Sequence, residues 1–165
     1  MEKKNEIIKH ARKIYLLCLR ILHERGNIVK RYIERIWELM NDAEAKRNIT
    51  LYDETVPKGI SYEQLRIISG RVYAYLKSHN IGKEDFVLIK LPRGVQPIIA
   101  TIGVWRAGAA LVIVEDTLAP ERIAYIYNDC NCKLAITSEV WEEINLCEPL
   151  DGYEETDPHD AAYAV

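Results

Sequence analysis

Apolar positions along this chain change their period several times, and each change marks an element. From Glu2 to Arg25 they recur at three- and four-residue spacings, with Ile7, Ala11, Ile14, Cys18 and Leu22 on one stripe. That spacing predicts a helix, broken by Gly26-Asn27. A second helix is predicted from Ile28 to about Ala45, its apolar face made by Ile28, Val29, Tyr32, Ile33, Ile36, Trp37 and Met40. Ile49 to Tyr52 reads as a short strand. Asp53 to Gly59 reads as a turn segment, in which Pro57 and Gly59 interrupt any ladder, so that a hairpin leads into the longer stretch from Ile60 to Thr137.

Within that stretch helix and buried strand alternate. Ser61 and Gln64 have the spacing of a capping box, and Leu65, Ile68, Val72 and Leu76 carry the helix to about Ser78. Gly70 inside it costs about 1 kcal/mol against alanine, which predicts close packing against a neighbour. Asn80-Ile81-Gly82 ends the helix, with Gly82 expected in the left-handed conformation. Phe86–Ile89 is a continuous apolar run, the pattern of a strand covered on both faces. A helix from near Pro97 carries Ile98, Ile99, Ile102 and Trp105 to a stop at Gly108, and Leu111–Val114 is the next strand. Pro120 opens a helix with Ile123, Ile126 and Tyr127 inward. Strand Leu134–Ile136, a short helix at Val140–Ile144, a polar loop and an incoming strand at Ala161–Val165 complete the pattern. Strand, crossover helix, strand in repetition predicts an α/β fold: a parallel sheet with crossover helices on both faces, preceded by two amphipathic helices. The boundary falls between a helical leader, 1–47, and an α/β unit, 48–165.

Composition narrows the function. With 165 residues the chain is long enough for one core, burying about 70% of its unfolded surface. A formal net charge of −3 gives no sign of a nucleic-acid binder. Lys and Arg gather in the leader and acids in the tail from Glu139, an asymmetry that fits either a basic amphipathic helix touching a membrane or an acidic partner or, since acids interleave, a solvated helix face. The apolar run Ile14–Leu22 holds Arg20 and falls short of the roughly 20 residues that span a bilayer, so no transmembrane segment is expected. Cys18, Cys130, Cys132 and Cys147 form no Cys-x-x-Cys pair and no secretion signal precedes them, which fits reduced thiols in the cytoplasm. A metal centre at Cys130/Cys132 lacks matching ligands, and His10, His23, His79 and His159 have no spacing with acids or cysteines that makes a triad or metal site. Gly82-Lys83 is no P-loop, because Lys77 stands where that motif needs glycine and Glu84 where it needs Ser or Thr. No catalytic, cofactor-binding or metal residue is assigned.

Ile60-Ser61-Tyr62-Glu63-Gln64-Leu65 resembles the first core motif of the AMP-forming acyl- and aminoacyl-adenylating enzymes. Trp105-Arg106-Ala107-Gly108-Ala109-Ala110-Leu111-Val112 resembles their second, with Leu111, Ile113 and Glu115 in place of the usual Tyr, Pro and Asp. Pro120–Tyr125 and Lys133–Thr137 are similar to the family's next helix and strand, especially in adenylation domains of nonribosomal peptide synthetases. The resemblance covers about Ile49 to Val165. It implies the first part of the N-terminal subdomain of a ligase that joins a carboxylate, an amino acid by preference, to ATP and passes the acyl group to a carrier-protein thiol. It further implies that Asp160–Val165 is the strand before the family's phosphate loop, so that ATP, Mg²⁺ and substrate are held by residues beyond Val165 and this piece is a scaffold, inactive alone. Its partners would be the remainder of the enzyme and a carrier protein. The alternative is a stand-alone α/β interaction module that uses the helical leader as its contact surface.

Overall fold

The computed structural model describes residues 27–54, 56–157 and 160–164. The predicted helix Glu2–Arg25 lies outside them. The first described helix, α1, spans Asn27–Asn41 and places Ile33 and Met40 in the core. It stops before the expected Ala45: the Asn41 side chain donates to the Trp37 carbonyl, and the Asp42 carboxylate accepts from the backbone N–H of Glu44 and Ala45. These bonds turn the chain into a short 3₁₀ segment, Ala45–Arg47.

Strand β1, Ile49–Asp53, pairs antiparallel with β2, Val56–Ser61. The expected turn therefore contains a strand. Its ladder survives because Leu51 faces Ile60 while Asp53 faces Val56, which leaves Pro57, Lys58 and Gly59 bulged out of register. Gly59 takes φ +74°, and a Cβ there would stand 2.3 Å from Ile49 Cγ2. Helix α2, Tyr62–Ser78, opens on the predicted capping box: Ser61 Oγ accepts from Gln64 N–H at 3.2 Å and Gln64 Oε1 accepts from Ser61 N–H at 2.9 Å. At its other end Asn80, not Gly82, is left-handed, with φ 57°. Asparagine tolerates that region, and it lets the buried Ile81 close its N–H onto the Leu76 carbonyl at 3.0 Å.

The parallel sheet has the order β4-β3-β5, formed by Ala110–Ile113, Phe86–Ile89 and Cys132–Ile136. Helix α3, Val95–Arg106, connects β3 to β4; α4, Pro120–Asp129, carries the chain from β4 across to β5; α5, Ser138–Asn145, comes last. Side chains alternate across the sheet. Val87, Ile89, Leu111 and Ile136 join the larger core with α1, α2, α3 and α5. Leu88 and Val112 face the other way, onto Ile123, Ile126 and Tyr127 of α4, in a smaller cluster. Residues 160–164 run parallel to the outer edge of β4, bridging Leu111 to Tyr163, as an incoming strand there requires. No helix among the described residues is long and apolar enough to cross a membrane.

Candidate functional site at the carboxyl edge of the sheet

A parallel sheet presents all its strand ends at one edge, and ligands in open α/β sheets bind there, at the point where successive connections diverge. The chain leaves β3 through α3 and β5 through α5 into the larger core but leaves β4 through α4 onto the opposite face, so that point falls between β3 and β4. A crevice of about 380 Å³ opens near it on the α4 face of β3 and β5, floored by Leu88 and Ala135, walled by Ile123 and Tyr127 of α4, with Lys90 and Thr137 at the edge. Its polar groups are few, and Thr137 is already used: its hydroxyl donates to Glu139 Oε2 at 2.6 Å and accepts from the Val140 N–H at the start of α5. That same hydroxyl, first among the causes, holds the Glu139 carboxyl below the usual carboxylate range.

The amino terminus of α3 reaches the same edge. Helix N-termini attract anions because their first N–H groups lack partners, but this one is filled from within the chain. Asp53 Oδ2 accepts from Val95 N–H at 2.7 Å, and Asp53 Oδ1 accepts from Val56 N–H at 3.0 Å. Gly94 makes the approach possible, since a Cβ there would stand 2.6 Å from Asp53 Oδ2. Replacing Asp53 with alanine removes a cap and is expected to cost about 1–2 kcal/mol, read as a lower urea midpoint with an unchanged slope. Asparagine, which keeps one acceptor oxygen, should recover part of the loss.

The third component is the far end of α3. Arg106 is 0% exposed. Its Nε donates to the Gly152 carbonyl at 2.8 Å, Nη1 to the Arg66 carbonyl and Ser69 Oγ at 2.8 and 2.9 Å, and Nη2 to the Leu150 carbonyl at 2.6 Å. Its guanidinium lies 4.9 Å from the Trp37 ring centre and 5.6 Å from that of Tyr73. Burial pulls its pKa down to about 10, which leaves it charged at neutral pH. Close by, Tyr73 donates to Glu154 at 2.7 Å and Lys77 pairs with Glu154 at 3.0 Å. Burial first, then Glu154, pushes Tyr73 up to about 12, while the Tyr73 and Lys77 hydrogen bonds hold Glu154 low.

The residues weighed from sequence do not assemble. His79 is exposed and stacks on Tyr75, its Nδ1 2.8 Å from the Tyr75 carbonyl; His10, His23, His159 and Cys18 lie outside the described residues. Cys132 is buried, and burial first, then Cys130, raises its thiol to about 11, the reverse of an activated nucleophile. Among the described residues no three His, Cys, Asp or Glu side chains group around a common point. Gly82-Lys83 forms a turn: Gly82 N–H donates to Asp85 Oδ2 at 3.0 Å and Lys83 pairs with Asp160 at 3.2 Å. Of the three positions that depart from the second motif, Leu111 is buried, Ile113 is 57% exposed at the strand end, and Glu115 pairs with Arg93 at 2.7 Å on the surface. Sequence reasoning missed Asp53 and Arg106. Arg106 left a signal, as a charge inside the apolar run from Ile98 to Val114. Asp53 left none.

A family model described as "AMP-binding enzyme" matches residues 39–163. A nonribosomal peptide synthetase of Penicillium ochrochloron, rstn8, is 33% identical over 103 residues, covering 62% of this chain and 5% of the relative. Tyrocidine synthase 2 of Brevibacillus parabrevis is 24% identical over 148 residues, covering 81% of this chain and 4% of the relative. Among solved structures, a benzoate CoA ligase from Burkholderia xenovorans LB400 superposes with a TM-score of 0.69 at 17% identity, over 80% of this chain and 32% of that one. The N-terminal subdomain of Klebsiella oxytoca NpsA, in complex with 3-hydroxyanthranilyl-AMSN, gives 0.66 at 19% identity, over 78% and 35%. The chain thus spans 5% or less of these curated relatives' length and about a third of these solved structures.

Proposed function

Because this chain belongs to the AMP-binding enzyme family, we propose that it supplies scaffold to a ligase that activates a carboxylate, an amino acid by preference. In that reaction a carboxylate oxygen attacks the α-phosphorus of ATP, pyrophosphate leaves, and a carrier-protein thiol then displaces AMP from the acyl adenylate. The α/β unit of residues 48–165 carries no catalytic group for these steps; ATP, Mg²⁺ and the acid are held by residues outside it. The setting is cytoplasmic, and the leader, 1–47, is an addition to the scaffold whose helix α1 packs into the same core.

One observation carries the reading: the carboxyl edge, where a nucleotide would be met, is already committed to contacts within the chain. Asp53 fills the α3 N-terminus, where phosphate oxygens would otherwise gather, and a carboxylate repels them. Glu115 is tied to Arg93 and Glu139 to Thr137. These carboxylates disfavour ATP phosphates at this edge.

Pyrophosphate exchange tests this. The 165-residue chain, given ATP, Mg²⁺ and a mixture of amino and aryl acids, is expected to show no acid-dependent incorporation of labelled pyrophosphate into ATP. Incorporation above the acid-free rate, abolished by a substitution within this chain, would overturn the assignment of catalysis to residues elsewhere.

A further inference from the structure

We propose that Arg106, helped by Trp105, is a positioning residue that lays the segment 160–164 against β4 and so fixes where the chain reaches the carboxyl edge. Its bearing on ligand handling rests on the function proposed above; the placement itself does not.

Stability alone does not account for a guanidinium in this position. No carboxylate lies within ion-pair distance of Arg106 among the described residues. Burying an unpaired cation is costly, and apolar replacements of buried ionic groups are often neutral. What the side chain gains is reach. Its planar fork spans from the carbonyl of Arg66 and the hydroxyl of Ser69 on α2 to the carbonyls of Leu150 and Gly152, two segments that no single ammonium point could join.

The neighbouring contacts extend that grip toward the edge. The Arg106 carbonyl accepts from Glu154 N–H at 2.8 Å. The buried Trp105 indole donates to the Ala162 carbonyl at 3.3 Å, and Ala161 N–H donates to Glu84 at 2.9 Å. Beside them Leu111 N–H donates to Ala162 at 3.2 Å and Ala164 N–H to Leu111 at 2.9 Å. The last turn of α3 therefore does two jobs. It delivers the chain into β4, and it holds the strand that comes to lie parallel to β4, which makes that strand run toward the carboxyl edge.

Adjacent amides of β4 give the test, because they face opposite ways: Ala110 N–H bonds to Asp85 on the β3 side, whereas Leu111 N–H bonds to Ala162 on the outer side. Amide hydrogen exchange is followed by NMR in the full 165-residue chain, in Arg106→Met, Arg106→Lys and the core control Ile144→Val. Both Arg106 variants are expected to speed exchange at Leu111 and Ala164 by about tenfold or more while Ala110 and Val114 change by less than about twofold; Ile144→Val should shift all four amides together. Lysine, which keeps the charge but not the fork, should not rescue. Unchanged protection at Leu111 and Ala164 in either variant, or equal loss at Ala110, would overturn the proposal. If neither variant folds, Trp105→Phe, which removes the indole donor together with one ring's width of packing, takes their place beside the Ile144→Val control: selective loss at Leu111 and Ala164 supports the placement, and none, or equal loss at Ala110, overturns it. Neither readout depends on adenylation, so failure here and failure of the proposed function remain distinguishable.

Discussion

Gly103→Ala is expected to destabilise the fold by about 2 kcal/mol, although alanine is the better helix former by about 1 kcal/mol. An ideal Cβ at this position would stand 2.4 Å from Val72 Cβ, 2.5 Å from Val72 Cγ1 and 3.1 Å from the Ser69 carbonyl oxygen. Val72 is 0% exposed and β-branched, so its side chain has no alternative rotamer with room to take it. Helix α3 must then move off α2, and overpacking of that kind costs about 1–3 kcal/mol, here at the upper end. For a chain of this size the result is a melting temperature lower by about 4–8 °C. The second substitution Val72→Ala should recover part of the loss, and a double-mutant cycle would read the coupling directly. An unchanged or raised melting temperature for Gly103→Ala would show that the two helices are not in the contact described.

The second large effect compares the two faces of the central strand. Ile89 and Leu88 are adjacent on β3 and nearly inaccessible, at 0% and 1%. Ile89 points into the larger core, enclosed by α2, α3 and α5. Leu88 points toward α4 and floors the open crevice of about 380 Å³. Truncating Ile89 to alanine leaves a sealed void, with the lost transfer energy and the cavity term both counted, about 4 kcal/mol. Truncating Leu88 leaves a void beneath a crevice that opens to solvent, so part of the cavity term can be relieved from that side and about 2–3 kcal/mol remains. Chemical denaturation of both variants measures the difference. Equal losses would mean that the α4 face is as tightly closed as the other.

These two faces also show where the sequence was informative. Strands Phe86–Ile89 and Leu111–Val114, the latter found at Ala110–Ile113, were legible because their continuous apolar runs have no polar face, and a strand with no polar face is covered on both sides. The Ser61/Gln64 cap was legible because both partners lie within one helical turn. Gly70 announced a close approach, and a Cβ there would stand 2.7 Å from the Leu150 carbonyl oxygen, 3.1 Å from Pro149 Cβ and 3.2 Å from Arg106 Nη1. The identity of that neighbour was not legible, since no local pattern ties Gly70 to a loop so distant in the chain. The cap on α3 was hidden for the same reason: its acceptor, Asp53, is 42 residues away in a segment read as a turn. Gly82 was assigned the left-handed role on residue type alone. Asn80 took it because the helix ends where Ile81 can be buried, and tertiary packing decided the residue.

The Arg106 contacts bear on synthesis of the chain. The Leu150 carbonyl that Nη2 requires lies 44 residues further on, a delay of about 2–9 s at ordinary translation rates. Through that interval strands β3, β4 and β5 can all leave the ribosome while the guanidinium still needs water. The packing of α1, α2 and α3 around it, where Trp37 and Tyr73 close over the charge, is therefore the last part of the core able to dry. A nascent chain released before residue 150 would keep a hydrated arginine at the centre of those helices, in a form that chaperones and proteases can recognise.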